Sequence, residues 1–461
     1  MDGVSNLKIL ADNSVGPTSS ESPPKGWTVR RPWVARVLMF LVVFGPGLIV
    51  MEADNDAGAV QTYMQAGAQY GFHLLWLMLL LLPVCYFVQE MVARLGIATG
   101  QGHAAMIFQR FGKWWGVFSL GDLLLVNFLT LITEFIAVSL ATRHICNNAP
   151  WVPYVTVPIF AVLLIIHVMS GSYRRWERIT VFLCIMDCIW FVMAYLTHPA
   201  GGEIIRNTIL PHIPPAGVLP SGLPSSPLVF LVIGIVGTTI APWQLFFQQS
   251  CVADKKLRFK DLNMARLDTF IGACFTVLVA GAMIVVGALA VRHNLQYDNF
   301  DPAQYADDIR QFFNSGFIRT GILIMFCNAA VLGTTAISLS SAWAWAEVKG
   351  WPHSLELPAS KAKGFYTVYA LCTMAAAGVT LLIPEDKQGL VVLGVQVLAG
   401  VILPSAIIFL QLLLNDHELL GDQWVNKKWN NWINWIIIIV LFILSLILAM
   451  QVLVPKLFPQ S

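Results

Sequence analysis

Charge is scarce in this chain. Asp, Glu, Lys and Arg make up 12% of 461 residues, against 57% hydrophobic, whereas soluble domains carry about a quarter charged residues. With a mean hydropathy of +0.69, a water-soluble globular protein is excluded. The net charge of +2 is too small to draw a nucleic acid. The nine His are scattered without HExxH or His-x-His spacing, so no hydrolytic metal centre is indicated. The Cys show no paired ligand spacing in a loop. Cys85, Cys184, Cys188, Cys251, Cys274, Cys327 and Cys372 fall in apolar runs and Cys146 in a connection, the usage of small packing residues. Residues 1–30 lack any apolar run, and a disordered tail is expected over 1–34. No nucleophile stands with a base and no soluble output domain is evident, which sets aside an enzyme and a metal sensor.

What the chain has in abundance is apolar length. Crossing a ~30 Å hydrocarbon core takes roughly 20 apolar residues, and about eleven candidates occur. They lie near 36–70 and 227–251 (both interrupted), 73–95, 114–140, 150–170, 177–197, 267–291, 316–347, 364–384, 388–414 and 432–454. An all-α polytopic membrane protein follows. Threading these spans with the N-terminus inside puts 21 of the 28 Lys and Arg on the inner side, which orients the N-terminus inward and the C-terminus outward. The outer connections 198–226 and 292–315 are the longest; the second carries Asp298, Asp301, Asp307 and Asp308 and reads as a solvated loop. The inner link Asp254–Asp261 mixes charges with Leu257 and Phe259, as an interfacial helix would. Trp424, Trp429, Trp432 and Trp435 precede the last span as an aromatic belt. Glu90 and Arg94 have the i,i+4 spacing of a surface ion pair, and Asp268 is expected to pair with Arg266 or Arg258.

Two spans are broken where a membrane centre should be apolar. The first carries Gly45-Pro46-Gly47 and then Glu52-Ala53-Asp54-Asn55-Asp56-Ala57-Gly58-Ala59; the sixth carries Gly237-Thr238-Thr239-Ile240-Ala241-Pro242-Trp243. Irregular backbone at that depth survives only buried in protein or lining a wet cavity. Paired breaks at matching places in two five-span halves mark an inverted-repeat secondary transporter. The expected organisation is a first repeat over 35–198, a second over 199–415, and an accessory eleventh span with the C-terminus over 416–461, in the 5+5 arrangement of the leucine-transporter type. Glu52, Asp54 and Asp56 cannot all stay charged in hydrocarbon, at ~2.5 kcal/mol each or more. With no obvious Lys or Arg at that depth, a cation is expected to compensate them, joined by the carbonyls that unwinding frees.

The segment Gly45-Pro46-Gly47 through Gln65-Ala66-Gly67-Ala68 to Leu95-Gly96-Ile97-Ala98-Thr99-Gly100 resembles the Nramp divalent-metal transporter family. So do Thr133-Glu134-Phe135, Gly234-Ile235-Val236-Gly237 and the tenth span around Gln396. The family's first-span motif Asp-Pro-Gly-Asn stands here as Asp56-Ala57-Gly58-Ala59, and its sixth-span Met-Pro-His as Ala241-Pro242-Trp243. An Asp three residues before the third-span Glu is replaced by Leu131, while Glu134 is kept. The resemblance implies metal contacts from Asp56, the backbone at Ala53, Ala59, Thr238 and Ala241, and Gln396. Glu52, Asp54, Glu134 and Trp243 are expected in outer-shell or pathway roles.

The departures are chemically coherent. A thioether favours transition metals over hard ions; Ala241 removes it and widens the site. Mg2+ gives up its water reluctantly and takes few carboxylates, so the pattern resembles the NRAMP-related magnesium transporters. Neither Trp243 nor Leu131 carries a proton. The expectation is facilitated, uncoupled entry of Mg2+, and also Mn2+, by a monomer of the plasma membrane, with divalent cations and lipid as its partners and no cofactor. Two alternatives remain: a proton-coupled Mn2+/Fe2+ symporter of the ordinary family kind, and a sodium-coupled organic-solute symporter. The acidic break disfavours an anionic solute.

Overall fold

The structure, a computed structural model, describes residues 45–169, 171–211, 228–297, 299–313 and 316–453, side chains of 448–453 apart. The expected tail and Asp298 lie outside the described residues. Every regular element described is helical. The first span is two short helices, α1 (Pro46–Ala53) and α2 (Ala57–Tyr70), followed by α3 (Leu75–Thr99) and α4 (His103–Ile145). Gly112 within α4 has φ 82°, left-handed backbone that glycine tolerates, so α4 is two helices meeting at a bend. Next come α5 (Val152–Val168), the pair α6 (Tyr173–Met186) and α7 (Cys188–Leu196), and α8 (Gly201–Ile209) in a connection. The sixth span is again divided, into α9 (Leu228–Thr239) and α10 (Pro242–Asp254). Then follow α11 (Leu262–Gly287), the one-turn α12 (Leu289–Arg292), α13 (Pro302–Ile309) in a connection, and α14 (Phe317–Lys349). The chain continues through α15 (Lys363–Thr380), α16 (Glu385–Leu413), the one-turn α17 (His417–Leu420) and α18 (Lys428–Leu453).

Eight helical stretches among the described residues are long and apolar enough to cross a membrane. The other three expected spans are the divided first one, the 17-residue α5 and the 18-residue α15. The two breaks have different local causes. Pro242 opens α10 and holds Ala241 extended at φ −84°, ψ 146°, because the ring of a proline forbids helical backbone in the residue before it. In the first span the run Asp54-Asn55-Asp56 offers side chains that compete with helical hydrogen bonds. Asp56, at φ −65°, ψ 180°, caps α2 by accepting the Ala59 N–H at 2.8 Å.

Small residues let the broken spans approach their neighbours. A Cβ on Gly237 would overlap the backbone of Gln396 and Gly400 in α16, and one on Gly272 of α11 would come within 3.0 Å of the Gly47 carbonyl in α1. This is the close helix crossing that small residues permit in membranes.

Several polar residues have other partners than their spacing suggested. Asp268 pairs with neither Arg266 nor Arg258. Its Oδ2 accepts the N–H groups of Gly45 (3.2 Å) and Gly47 (2.7 Å), and its Oδ1 that of Leu48 (3.2 Å). It thus caps the N-terminus of α1, where orphan donors demand an acceptor. Asp268→Ala is expected to lower stability by about 2 kcal/mol, read as a lower Tm of the detergent-solubilised protein; an unchanged Tm would argue against the cap. Glu90 and Arg94 do form an ion pair at 3.4 Å, but it is buried and Glu90 also binds Arg266 at 2.8 Å. The stretch read as an interfacial helix is a turn with Lys256 at φ 57°, followed by one 3-10 turn, Phe259–Asp261. The acids of the 292–315 connection do structural work: Asp301 caps α13, Asp307 pairs with His144 and Arg319, and Asp308 accepts from Tyr297 and Gln304.

Candidate functional site

The three acids of the first break point three ways. Asp56 lies toward the third and eighth spans. The N–H of Ala57, which in an unbroken helix would bond the Ala53 carbonyl, donates instead to Glu134 Oε2 at 3.1 Å. Gly333 of α14 leaves the room for this meeting, since a Cβ there would lie 2.5 Å from Glu134 Oε2 and 2.9 Å from the Asp56 Cβ. Asp54 lies toward the second and sixth spans, beside Gln244, Tyr63 and Cys85. The Gln244 amide is the polar neighbour of its carboxylate, though it forms no well-shaped hydrogen bond to either oxygen. Glu52 turns toward the fifth and seventh spans, where Thr276 Oγ1 donates to Oε1 at 2.7 Å. All three acids and Glu134 are at most 2% exposed. Among the described residues none of the four forms an ion pair with Lys, Arg or His. Four buried carboxyl groups without a basic partner require a cation or protons.

The second break supplies neutral groups on the same level. Thr239 Oγ1 and Tyr63 Oη hydrogen-bond at 2.7 Å, tying α9 to α2 across the two breaks. Thr238 Oγ1 is buried without a partner. The Ala241 N–H donates to Gln244 Oε1 at 3.2 Å, and the same oxygen takes Gln89 Nε2 at 3.0 Å. Gln396 rests on Gly58: a Cβ on that glycine would collide with the Gln396 amide. Its Nε2 is buried and unpartnered, and a half-turn of the amide presents oxygen at the same place. Trp243 is fully buried, stacks edge-on with Phe247 at 6.1 Å, and its carbonyl accepts from Ser340 Oγ at 3.1 Å. It fills space at the start of α10 rather than offering a ligand.

Asp56, Glu134, Gln396 and the backbone around Ala53 and Ala59 are therefore brought together, with Thr238 and Ala241 on the facing break. Asp54 sits beside this group, its carboxylate close enough to that of Asp56 for the two charges to interact, and Glu52 is turned toward Thr276. Gln244, Gln89 and Tyr63 were not singled out from the sequence. Gln244 alone carried a local signal, three residues after the extended Ala241, where a side chain can fold back on a helix start. The chemistry is that of hard oxygen ligands and negative charge. Among the described residues no three His, Cys, Asp or Glu converge on a point that would cage an ion.

Two broken spans side by side, each with polar groups turned into the protein, define an α-helical membrane transporter. Solved structures with this fold include the Eremococcus coleocola manganese transporter in complex with an aromatic bis-isothiourea compound, at TM-score 0.71 and 17% identity over 94% of this chain and 91% of that one. MhsT in complex with L-phenylalanine matches at TM-score 0.58 and 12% identity over 91% of this chain and 99% of that one. A family model described as natural resistance-associated macrophage protein-like, Nramp, matches residues 47–451. The chain belongs to the Nramp family. Among relatives, a divalent metal cation transporter MntH of Staphylococcus haemolyticus is 26% identical over 85% of this chain and 88% of its own. Another MntH, of Latilactobacillus sakei, is 30% identical over 56% of this chain and 57% of its own. The protein is a membrane transporter and not an enzyme.

Proposed function

We propose that the chain admits divalent cations, chiefly Mg2+ and also Mn2+, to the cytoplasm by alternating access and without proton coupling. It would do so as a monomer in the plasma membrane, N-terminus inside and C-terminus outside. The observation that carries the reading is the pairing of an acidic first break, free of basic partners, with a second break whose polar groups are all neutral: Thr238, Thr239, Gln244 and carbonyl oxygens. Asp56 supplies the charge. Its Oδ1 is committed to the Ala59 N–H at 2.8 Å, which leaves Oδ2 for the ion. A site with few direct protein ligands suits an ion that keeps most of its water. The second break contributes no soft side chain of its own, and the nearby Cys85 thiol donates to its Thr239 carbonyl at 3.5 Å, so little there rewards a transition metal over Mg2+.

The case against coupling rests on Leu131 and Trp243, which stand where the resemblance implies proton-carrying side chains. An inward-negative potential supplies about 4.6 kcal/mol per 100 mV for a 2+ ion, enough to drive uptake alone. The test is Mg2+ influx into proteoliposomes enclosing a pH dye. Influx with a silent dye is expected; acidification that tracks influx would show coupling.

One observation favours a second reading, proton-coupled Mn2+ transport. Glu134 is retained, buried and in contact with the first break through the Ala57 N–H. Acidification driven by Mn2+, with Mg2+ neither carried nor competing, would establish that reading instead.

A further inference from the structure

Roughly one helical turn before Asp56 along the first span lies a second group of buried oxygen ligands. Glu52 and Asp187 face one another, the latter at the junction of α6 and α7. Two carboxylates in contact need something positive between them. No Lys, Arg or His among the described residues forms an ion pair with either. The donors that reach them are neutral. Thr276 Oγ1 bonds Glu52 Oε1 at 2.7 Å, Asn55 Nδ2 bonds Glu52 Oε2 at 3.4 Å, and Asn328 Nδ2 bonds Asp187 Oδ1 at 3.1 Å. Asn55 Nδ2 also reaches the Thr276 carbonyl at 3.4 Å and Asn328 Nδ2 the Leu183 carbonyl at 3.1 Å.

Three oxygens are left over. Asp187 Oδ2, Asn55 Oδ1 and Asn328 Oδ1 are buried without a partner, in residues that are 1%, 1% and 5% exposed. Each amide spends its N–H on one of the two carboxylates, so its orphan oxygen lies at the edge of the same cluster. A buried acceptor needs a partner, water or ion, and here three of them border one pair of carboxylates.

We propose that Glu52, Asp187, Asn55 and Asn328 form a second station for a hard divalent cation, distinct from the one at Asp56. Two carboxylates balance a 2+ ion, whereas a monovalent ion or one shared proton leaves a net buried charge. The orphan oxygens are the neutral ligands such an ion takes. The four residues come from the first, fifth and eighth spans, with Thr276 of the seventh behind Glu52, so occupancy would tie both repeats together. Two stations this close repel each other's ions. That repulsion lets a tightly held ion leave, as between adjacent sites in a pore.

Equilibrium binding of Mn2+ to the full chain in detergent tests this and separates it from the reading of Asp56. Two ions per chain are expected for the native protein, and one for Glu52→Gln, for Asp187→Asn and for Asp56→Ala. The ion retained by each variant reports that it is folded. Asn328→Ala, which leaves both carboxylates in place, is expected to keep two ions with the second bound at least tenfold more weakly. A native stoichiometry of one, lost in Asp56→Ala and untouched in Asp187→Asn, would overturn the second station and leave the first standing. One ion lost in Asp187→Asn and kept in Asp56→Ala would sustain the second and sink the first.

Discussion

Asp56→Ala reduces Mg2+ uptake by reconstituted protein to that of empty liposomes, a fall of at least ~100-fold. Removing a charged ligand from a buried site forfeits about 3 kcal/mol, and each 1.4 kcal/mol is tenfold. The substitution also removes the cap on α2, because Asp56 Oδ1 accepts the Ala59 N–H at 2.8 Å. Asp56→Asn separates the two roles. Its amide oxygen still caps the helix, its charge is gone, and uptake is expected to fail as completely with Tm preserved. Near-native uptake by Asp56→Asn would mean that the aspartate serves the helix break and not the ion.

Ala241→Met shifts the ratio of Mg2+ to Mn2+ uptake toward Mn2+ by about tenfold. Ala241 is 4% exposed and extended at the start of α10, at the position where the resemblance places the family's thioether. A thioether offers a soft contact that Mn2+ accepts and Mg2+ does not. One such contact of about 1.4 kcal/mol accounts for the factor. Paired tracer uptake of both ions checks it; a ratio equal to that of the native protein would remove the second break from the selectivity argument.

The breaks themselves were legible in the sequence because their causes are local. Pro242 dictates the backbone of its predecessor, and Asp54-Asn55-Asp56 cannot sustain a helix in an apolar run. Asp56 could be selected for the same reason, since a residue that starts a helix inside a membrane keeps its carboxyl near the joint. The directions of its neighbours could not be read. Helical periodicity assigns faces only within a helix, and Glu52, Asp54 and Asp56 straddle a joint where the chain turns. Their partners also lie far away in sequence: Asp187 and Thr276 for Glu52, Gln244 for Asp54, Glu134 for Ala57. Asp268 shows the same limit from the other side. Two arginines nearby in sequence suggested an ion pair, yet the orphan N–H groups of α1, 220 residues and more away, claim its carboxylate. The link at 254–261 was misread because amphipathic composition does not reveal a left-handed residue such as Lys256.

The central claim is that a divalent cation neutralises the first break. The most direct measurement is anomalous X-ray scattering from crystals soaked in Mn2+. A peak within coordination distance of Asp56, between the two breaks, is the result expected. A break without a peak, its carboxylates instead sharing protons or met by ammonium or guanidinium groups, would contradict it.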